Sequence, residues 1–217
     1  MAPAARPEAG GIRGRNPSRK AATALDPMAI GFSGRERRRI VPEARGVVLE
    51  VGSGIGHNLP LYDASRIERI LVVGAAERLV DLGLKQLGEA RFDIEVRPEP
   101  VETLAIPSAS VDTVVATYSL CSLEKVEAAL HQIRRVLKPD GRLLFCERGR
   151  SHRRAVARWQ DRIDPIWALF SGGGHINRNV SRLVENAGFR IEFLDASRGA
   201  SGPGILTCNY VGIAVPK

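Results

Sequence analysis

Two stretches of the 217-residue chain hold the residue types best suited to chemistry. The first is VVLEVGSGIGHN at positions 47–58, in which apolar β-type residues and Glu50 run into glycines 52, 54 and 56 around Ser53, with His57 next. A buried strand ending at Val51 must be followed by a sharp turn whose backbone stays bare enough for a ligand to touch. Glycine permits both, because it lacks a Cβ and tolerates positive φ. A helix from Ile55 to Ala64 would then point its N-terminal N–H groups into the crevice at the strand ends. The second stretch is SGGGHINRN at 171–179, where His175 follows three glycines, with Asp164 upstream ahead of Pro165. Imidazole and carboxylate move protons, and a glycine loop beside a crevice suits a lid.

Alternating strand and helix patterns position these groups. Apolar runs at 47–51, 70–73, 92–96, 111–117 and 142–147 read as strands. Between them, 75–89 and 124–137 have helical spacing, and 98–107 reads as loop. The second helix ends at Lys138-Pro139-Asp140-Gly141, which cannot continue a helix and favours a tight reversal. Five alternations predict an α/β fold, a doubly wound parallel sheet with helices on both faces. Beyond it the pattern gives helices over 155–170 and 181–187 and strands near 190–194 and 206–214, making seven strands. Before it, residues 31–40 read as a short helix that lays Phe32 and Ile40 on the body and its arginines in water.

Composition narrows the classes. With 44% hydrophobic residues the chain can bury one substantial core. We expect a disordered basic tail over 1–30 and one domain over 31–217. The formal charge of +8 is concentrated, because residues 1–39 hold nine Arg or Lys and three acids, a net of +6. A disordered tail explains this, and a weak hold on nucleic acid or acidic lipid is the alternative. No basic stripe interleaved with aromatics suggests a dedicated nucleic-acid site. No apolar run approaches a membrane span and no secretory signal opens the chain, so a cytoplasmic location is expected. Cys121, Cys146 and Cys208 read as reduced packing residues.

The spacing of the glycine loop, Glu50-Val-Gly52-Ser-Gly54-Ile-Gly56, resembles the first motif of class I S-adenosylmethionine (SAM) methyltransferases, not the GxGxxG of dinucleotide folds. Val111-Asp112-Thr-Val-Val with Ala116-Thr117-Tyr118 is similar to that family's fourth motif, and Leu137-Lys-Pro-Asp-Gly141 to the turn before its fifth strand. Thr117-Tyr-Ser-Leu-Cys121-Ser122 and Trp159-Gln160 with Asp164-Pro165-Ile-Trp167 resemble a narrower group, the methyltransferase-like thiol methyltransferases. The resemblance runs from about residue 45 onward. It implies a Rossmann-like, seven-stranded, mostly parallel sheet with its last strand antiparallel. The implied cofactor is SAM, lying against Glu50, Gly52, Ser53, Gly54 and Gly56, near Val101 and Glu102 at the adenine end and Thr117 and Tyr118 near the transferred methyl. A surface acid is the alternative reading of Glu102.

Two departures matter. Animal members of the thiol-methylating group have an apolar N-terminal anchor, and here the tail is basic and polar. The family also places an acid at the end of strand two to take the ribose hydroxyls, where this chain has Val73-Gly74-Ala75-Ala76. A bidentate charged hydrogen bond is worth about 1.5–3 kcal/mol, so its loss would weaken SAM binding by about one to two orders of magnitude. Glu77 is a possible substitute or a first-turn acid.

Methyl transfer from a sulfonium neutralises charge, so the protein mainly positions the nucleophile, and no metal is required. A small-molecule acceptor, a thiol above others, is expected, since a thiol needs only a modest base. His57, His175 and Asp164 are the candidates for that role, with helix or turn capping as their alternatives. Trp159 and Trp167 read as core, or as an apolar substrate wall. The alternatives for the whole are N- or O-methylation of a lipid or natural product, or a binding module with an impaired cofactor site, kept open by Gly74.

Overall fold

The computed structural model describes residues 34–52, 55–74, 92–198 and 208–217. Seven strands form one sheet: β1 (Gly46–Val51), β2 (Ile67–Val73), β3 (Asp93–Arg97), β4 (Val111–Thr117), β5 (Leu137–Arg148), β6 (Phe189–Arg198) and β7 (Cys208–Pro216). Their order is β3-β2-β1-β4-β5-β7-β6. The pairs from β3 through β5 are parallel, and β7 runs antiparallel to both β5 and β6. The doubly wound sheet expected from the alternation is therefore present, with its last strand reversed.

Five helices are described: α1 (Gly34–Ile40), α2 (Ile55–Asn58), α3 (Val126–Val136), α4 (Arg154–Phe170) and α5 (Val180–Asn186). Strands β1 and β4 and the 143–146 stretch of β5 are buried on both faces, which is why their sequences are dominated by apolar residues. On one face Leu130 and Ile133 of α3 and Val184 of α5 pack with Leu49, Val114 and Phe145. On the other, Ile40 at the end of α1 and Tyr62 pack with Val48, Ile70 and Val115.

The differences from the sequence reading have local causes. The helix expected over 55–64 stops at Asn58 and tightens into a 3-10 turn at Leu59–Leu61. Pro60 in that turn has no N–H for a helical hydrogen bond. Strand β5 begins earlier than expected, because Leu137 already pairs with Val111 before residues 138–141 loop out and Arg142 pairs with Thr113. Arg37 does not lie in water: it is 7% exposed, since α1 turns it inward beside Ile40. The expected tail over 1–30, Phe32 and the helix over 75–89 with Glu77 lie outside the described residues.

Helix α4 reverses another expectation. Its buried residues are Ala157, Gln160 and Asp164, a narrow polar stripe, while Trp159 is 56% exposed and Trp167 half-buried. Positions eight apart are rotated by about 80° on a helix, so the two indoles do not share a core-facing side.

Candidate active site

The glycine loop and the end of β2 meet back to back. The Gly52 N–H donates to the Val73 carbonyl at 2.8 Å. Gly52 has φ +84° and Gly74 φ +151°, both in the region that favours glycine. A Cβ on Gly74 would stand 3.3 Å from the Gly52 Cα, and one on Gly52 would stand 2.9 Å from the Ser119 Oγ. The C-terminal ends of β1, β2 and β4 thus approach so closely that only bare backbone fits. Such a cradle at the mouth of a parallel sheet suits a nucleoside cofactor. Ser53 and Gly54 lie outside the described residues, and Gly56 sits in the first turn of α2.

Beneath this loop is a buried polar network. Glu50, fully buried, accepts from Asn58 Nδ2 at 2.6 Å and from the Tyr62 hydroxyl. Arg37 donates to Asn58 Oδ1 at 2.8 Å and to Thr117 Oγ1 at 2.7 Å, and its guanidinium lies 5.1 Å from the Tyr118 ring centroid. Burial pushes the Glu50 carboxyl up to about 7, against the opposing pull of Tyr62, Asn58 and Arg37. The carboxylate therefore holds α2 and the loop from below. Thr117 and Tyr118 are buried in the same network, and Tyr118 has φ +54°, a strained turn immediately after β4. His57 is on the exposed side of α2, its imidazole held below the ordinary value by partial burial and by the charge of Arg37. Val101 is in the core and Glu102 half-buried, both in a 3-10 turn after β3.

Past β4 the chain is pinned by Glu147, which sequence reasoning missed. Its fully buried carboxylate accepts from the backbone N–H groups of Ser119 (2.8 Å), Leu120 (3.0 Å) and Cys121 (3.2 Å). Burial raises it to about 7 even so. An acid directly after the apolar run Leu143–Cys146 was the available signal. The Cys121 and Cys146 thiols, both buried, are pushed up to about 12 and are packing groups, not nucleophiles.

His175 and Asp164 meet here. Asp164 Oδ2 lies 2.7 Å from His175 Nδ1, and Asp164 Oδ1 accepts from the Ile176 N–H at 2.8 Å. The His175 backbone N–H donates to the Cys121 carbonyl at 2.8 Å, tying the 172–175 loop to the segment that Glu147 fixes. The Asp164 side chain is 9% exposed and that of His175 34%, so the carboxylate is covered and the ring has an open side. A neutral imidazole that donates Nδ1–H to this carboxylate keeps its lone pair on Nε2, the arrangement of a general base. Gln160, one turn before Asp164, fixes α4 by donating to the Gly149 and Ile176 carbonyls and accepting from the Ser151 N–H. His57 belongs to another connection and shares no hydrogen bond with this pair among the described residues. A cleft of about 340 Å³ between α3 and α5 includes Arg178, which also donates to the Leu120 carbonyl, but none of the glycine-loop residues.

A family model described as "Methyltransferase domain" matches residues 27–193. The chain belongs to the methyltransferase family. It is similar to the thiol S-methyltransferase TMT1A of Homo sapiens, 30% identical over 68% of this chain and 62% of that protein. It is also 30% identical to the mitochondrial methyltransferase OMS1 of Saccharomyces cerevisiae, over 55% of this chain and 29% of that protein. The chain thus spans less than two thirds of these relatives' length. Among solved structures, that of the [4+2]-cyclase SpnF superimposes with a TM-score of 0.64 at 18% identity, covering 84% of this chain and 78% of that one. That likeness shows the shared fold alone. Among the described residues no helix is long and apolar enough to cross a membrane.

Proposed function

We propose that the chain is a SAM-dependent methyltransferase acting on a small thiol, with His175 as the general base and Asp164 as the group that orients it. The observation that carries this reading is the 2.7 Å contact between Asp164 and His175, with the His175 backbone moored on the carbonyl of Cys121 just past β4. Similarity to a thiol S-methyltransferase supports the choice of acceptor. Gly52, Gly54, Gly56 and Gly74, with Ser53 and the turn holding Val101 and Glu102, would cradle the cofactor. Glu50 and Thr117 would support that cradle through Asn58 and Arg37, and Tyr118 would shape the turn next to it.

When bound, SAM supplies an electrophilic methyl carbon on a sulfonium sulfur. His175 Nε2 takes the thiol proton, and the carboxylate of Asp164 stabilises the imidazolium that results. The thiolate so formed would be the nucleophile for the methyl group that SAM would supply. Glu147 keeps the 119–121 backbone in place, which holds the Cys121 carbonyl that moors His175. His57 lies outside this pathway and serves the loop. Three buried free cysteines agree with work in a reducing compartment such as the cytoplasm.

The test is turnover of SAM with an aromatic thiol, an amine and a phenol of similar shape. The thiol is expected to react, and His175→Ala to lower kcat by about 10²–10⁴-fold with an unchanged SAM Kd. Asp164→Asn is expected to lower kcat and shift its pH profile. Preferential methylation of the amine or phenol would assign the N- or O-methylating alternative, and SAM binding without turnover of any acceptor would favour the binding module.

A further inference from the structure

We infer that the outer face of α4 docks on the anionic surface of a lipid bilayer. The helix has 17 residues, about 25 Å of length, yet it buries only Ala157, Gln160 and Asp164. Most of its large apolar residues face outward: Trp159 is 56% exposed, Ile166 61%, Leu169 79% and Phe170 71%. Trp159, Ile163, Ile166 and Phe170 follow one another at spacings of four, three and four, which places them in one stripe along the helix. A stripe on a soluble surface with this much open apolar area calls for an occupant.

Charge says which occupant. Arg153, Arg154, Arg158 and Arg162 are all exposed on or just before this helix, and Arg162 sits 5.5 Å from the centroid of the Trp159 ring. The acids of α4 are turned elsewhere: Asp161 pairs with Arg150, and Asp164 with His175. What faces outward is therefore apolar and cationic, with an indole at the boundary. That combination identifies helices that lie in the plane of a membrane interface and draw on both acyl-chain burial and anionic headgroups. Because the buried stripe of the same helix carries Asp164, docking would place the Asp164–His175 pair one helix thickness from the layer in which apolar small molecules concentrate. The docking itself does not depend on which acceptor is methylated.

The experiment uses the full chain. It has two tryptophans, Trp159 and Trp167, both on α4, so intrinsic fluorescence reports on this helix alone. The protein is titrated with phosphatidylcholine vesicles with and without phosphatidylserine, some carrying brominated acyl chains. A blue shift and bromine quenching with the serine-containing vesicles, and binding about tenfold weaker without them, is the expected result. Leu169→Glu with Phe170→Glu removes the shift and weakens binding about tenfold or more, while circular dichroism and Tm stay unchanged because both side chains are exposed. Arg158→Glu with Arg162→Glu weakens binding to the anionic vesicles only.

Co-sedimentation without a blue shift, insensitive to Leu169→Glu and Phe170→Glu, would assign the attraction to the basic residues 1–39 and overturn the proposal. So would a dimer in light scattering that the same double variant dissociates, since the face would then belong to a second copy. Absence of binding to either vesicle overturns it directly.

Discussion

The position where a ribose-binding acid is missing gives the sharpest test of how the cofactor cradle is built. Gly74 has φ +151°, and a Cβ there would stand 3.3 Å from the Gly52 Cα. Any L-residue at 74 must either hold a backbone conformation that side chains disfavour or push the glycine loop away. Strain of this kind costs about 1–3 kcal/mol. For a domain of this size each kcal/mol moves Tm by about 2–4 °C, so Gly74→Ala should lower Tm by about 2–12 °C in scanning calorimetry. Gly74→Asp carries the same penalty and adds a carboxylate. If that carboxylate reached the ribose freely it would tighten SAM binding by about one to two orders of magnitude. The Cβ direction places it beside Gly52 instead, so calorimetric titration with SAM and S-adenosylhomocysteine should show Gly74→Asp gaining less than about tenfold over wild type. A Gly74→Ala protein with wild-type Tm would refute the strain argument. A Gly74→Asp protein that is fully stable and binds SAM about a hundredfold tighter would show that the glycine is simply a lost acid.

Glu50 and Glu147 are both held at about 7, above their ordinary 4.5, by burial. The fold therefore binds protons that the unfolded chain releases between those values, and stability should fall as pH rises from 4.5 to about 7. Glu50→Gln and Glu147→Gln should each flatten that fall in denaturant titrations, and a wild-type protein equally stable across the window would contradict it. Arg37→Met should cost about 2–3 kcal/mol in urea unfolding, because Asn58 and Thr117 lose a charged donor while buried. The same variant should weaken SAM binding, which titration calorimetry would read.

The parts of the fold legible from sequence are those whose signal is local. Val111–Thr117 is read with its observed bounds because a β-branched apolar run is bracketed by turn residues. The α3 helix is read to within two residues because its apolar positions recur at helical spacing. What escaped is what distant partners decide. Arg37 lies in a run of arginines that looks solvated, and its burial depends on Asn58 and Thr117, 21 and 80 residues away. In α4 the polar residues Gln160 and Asp164 are the buried ones, so the usual assignment of apolar positions to the inner face fails. The two histidines looked alike in the sequence. Among the described residues only His175 of the two is brought to a carboxylate, because Gln160 and the Cys121 carbonyl fix α4 and the 172–175 loop against each other.

The place of β7 has a consequence for how the chain is made. Strand β7 is the last to be synthesised, yet it lies between β5 and β6, not at the sheet edge. Until residues 208–216 have left the ribosome, β5 offers an open row of N–H and carbonyl groups, and β6 has no partner among the described strands. The N-terminal strands, the glycine loop and the turn after β4 can be assembled while this seam stays open, but the sheet closes only after translation has passed it. The seam is thus the interval in which a nascent chain is most exposed to pairing with a neighbour, and slowing translation across residues 199–207 would lengthen it.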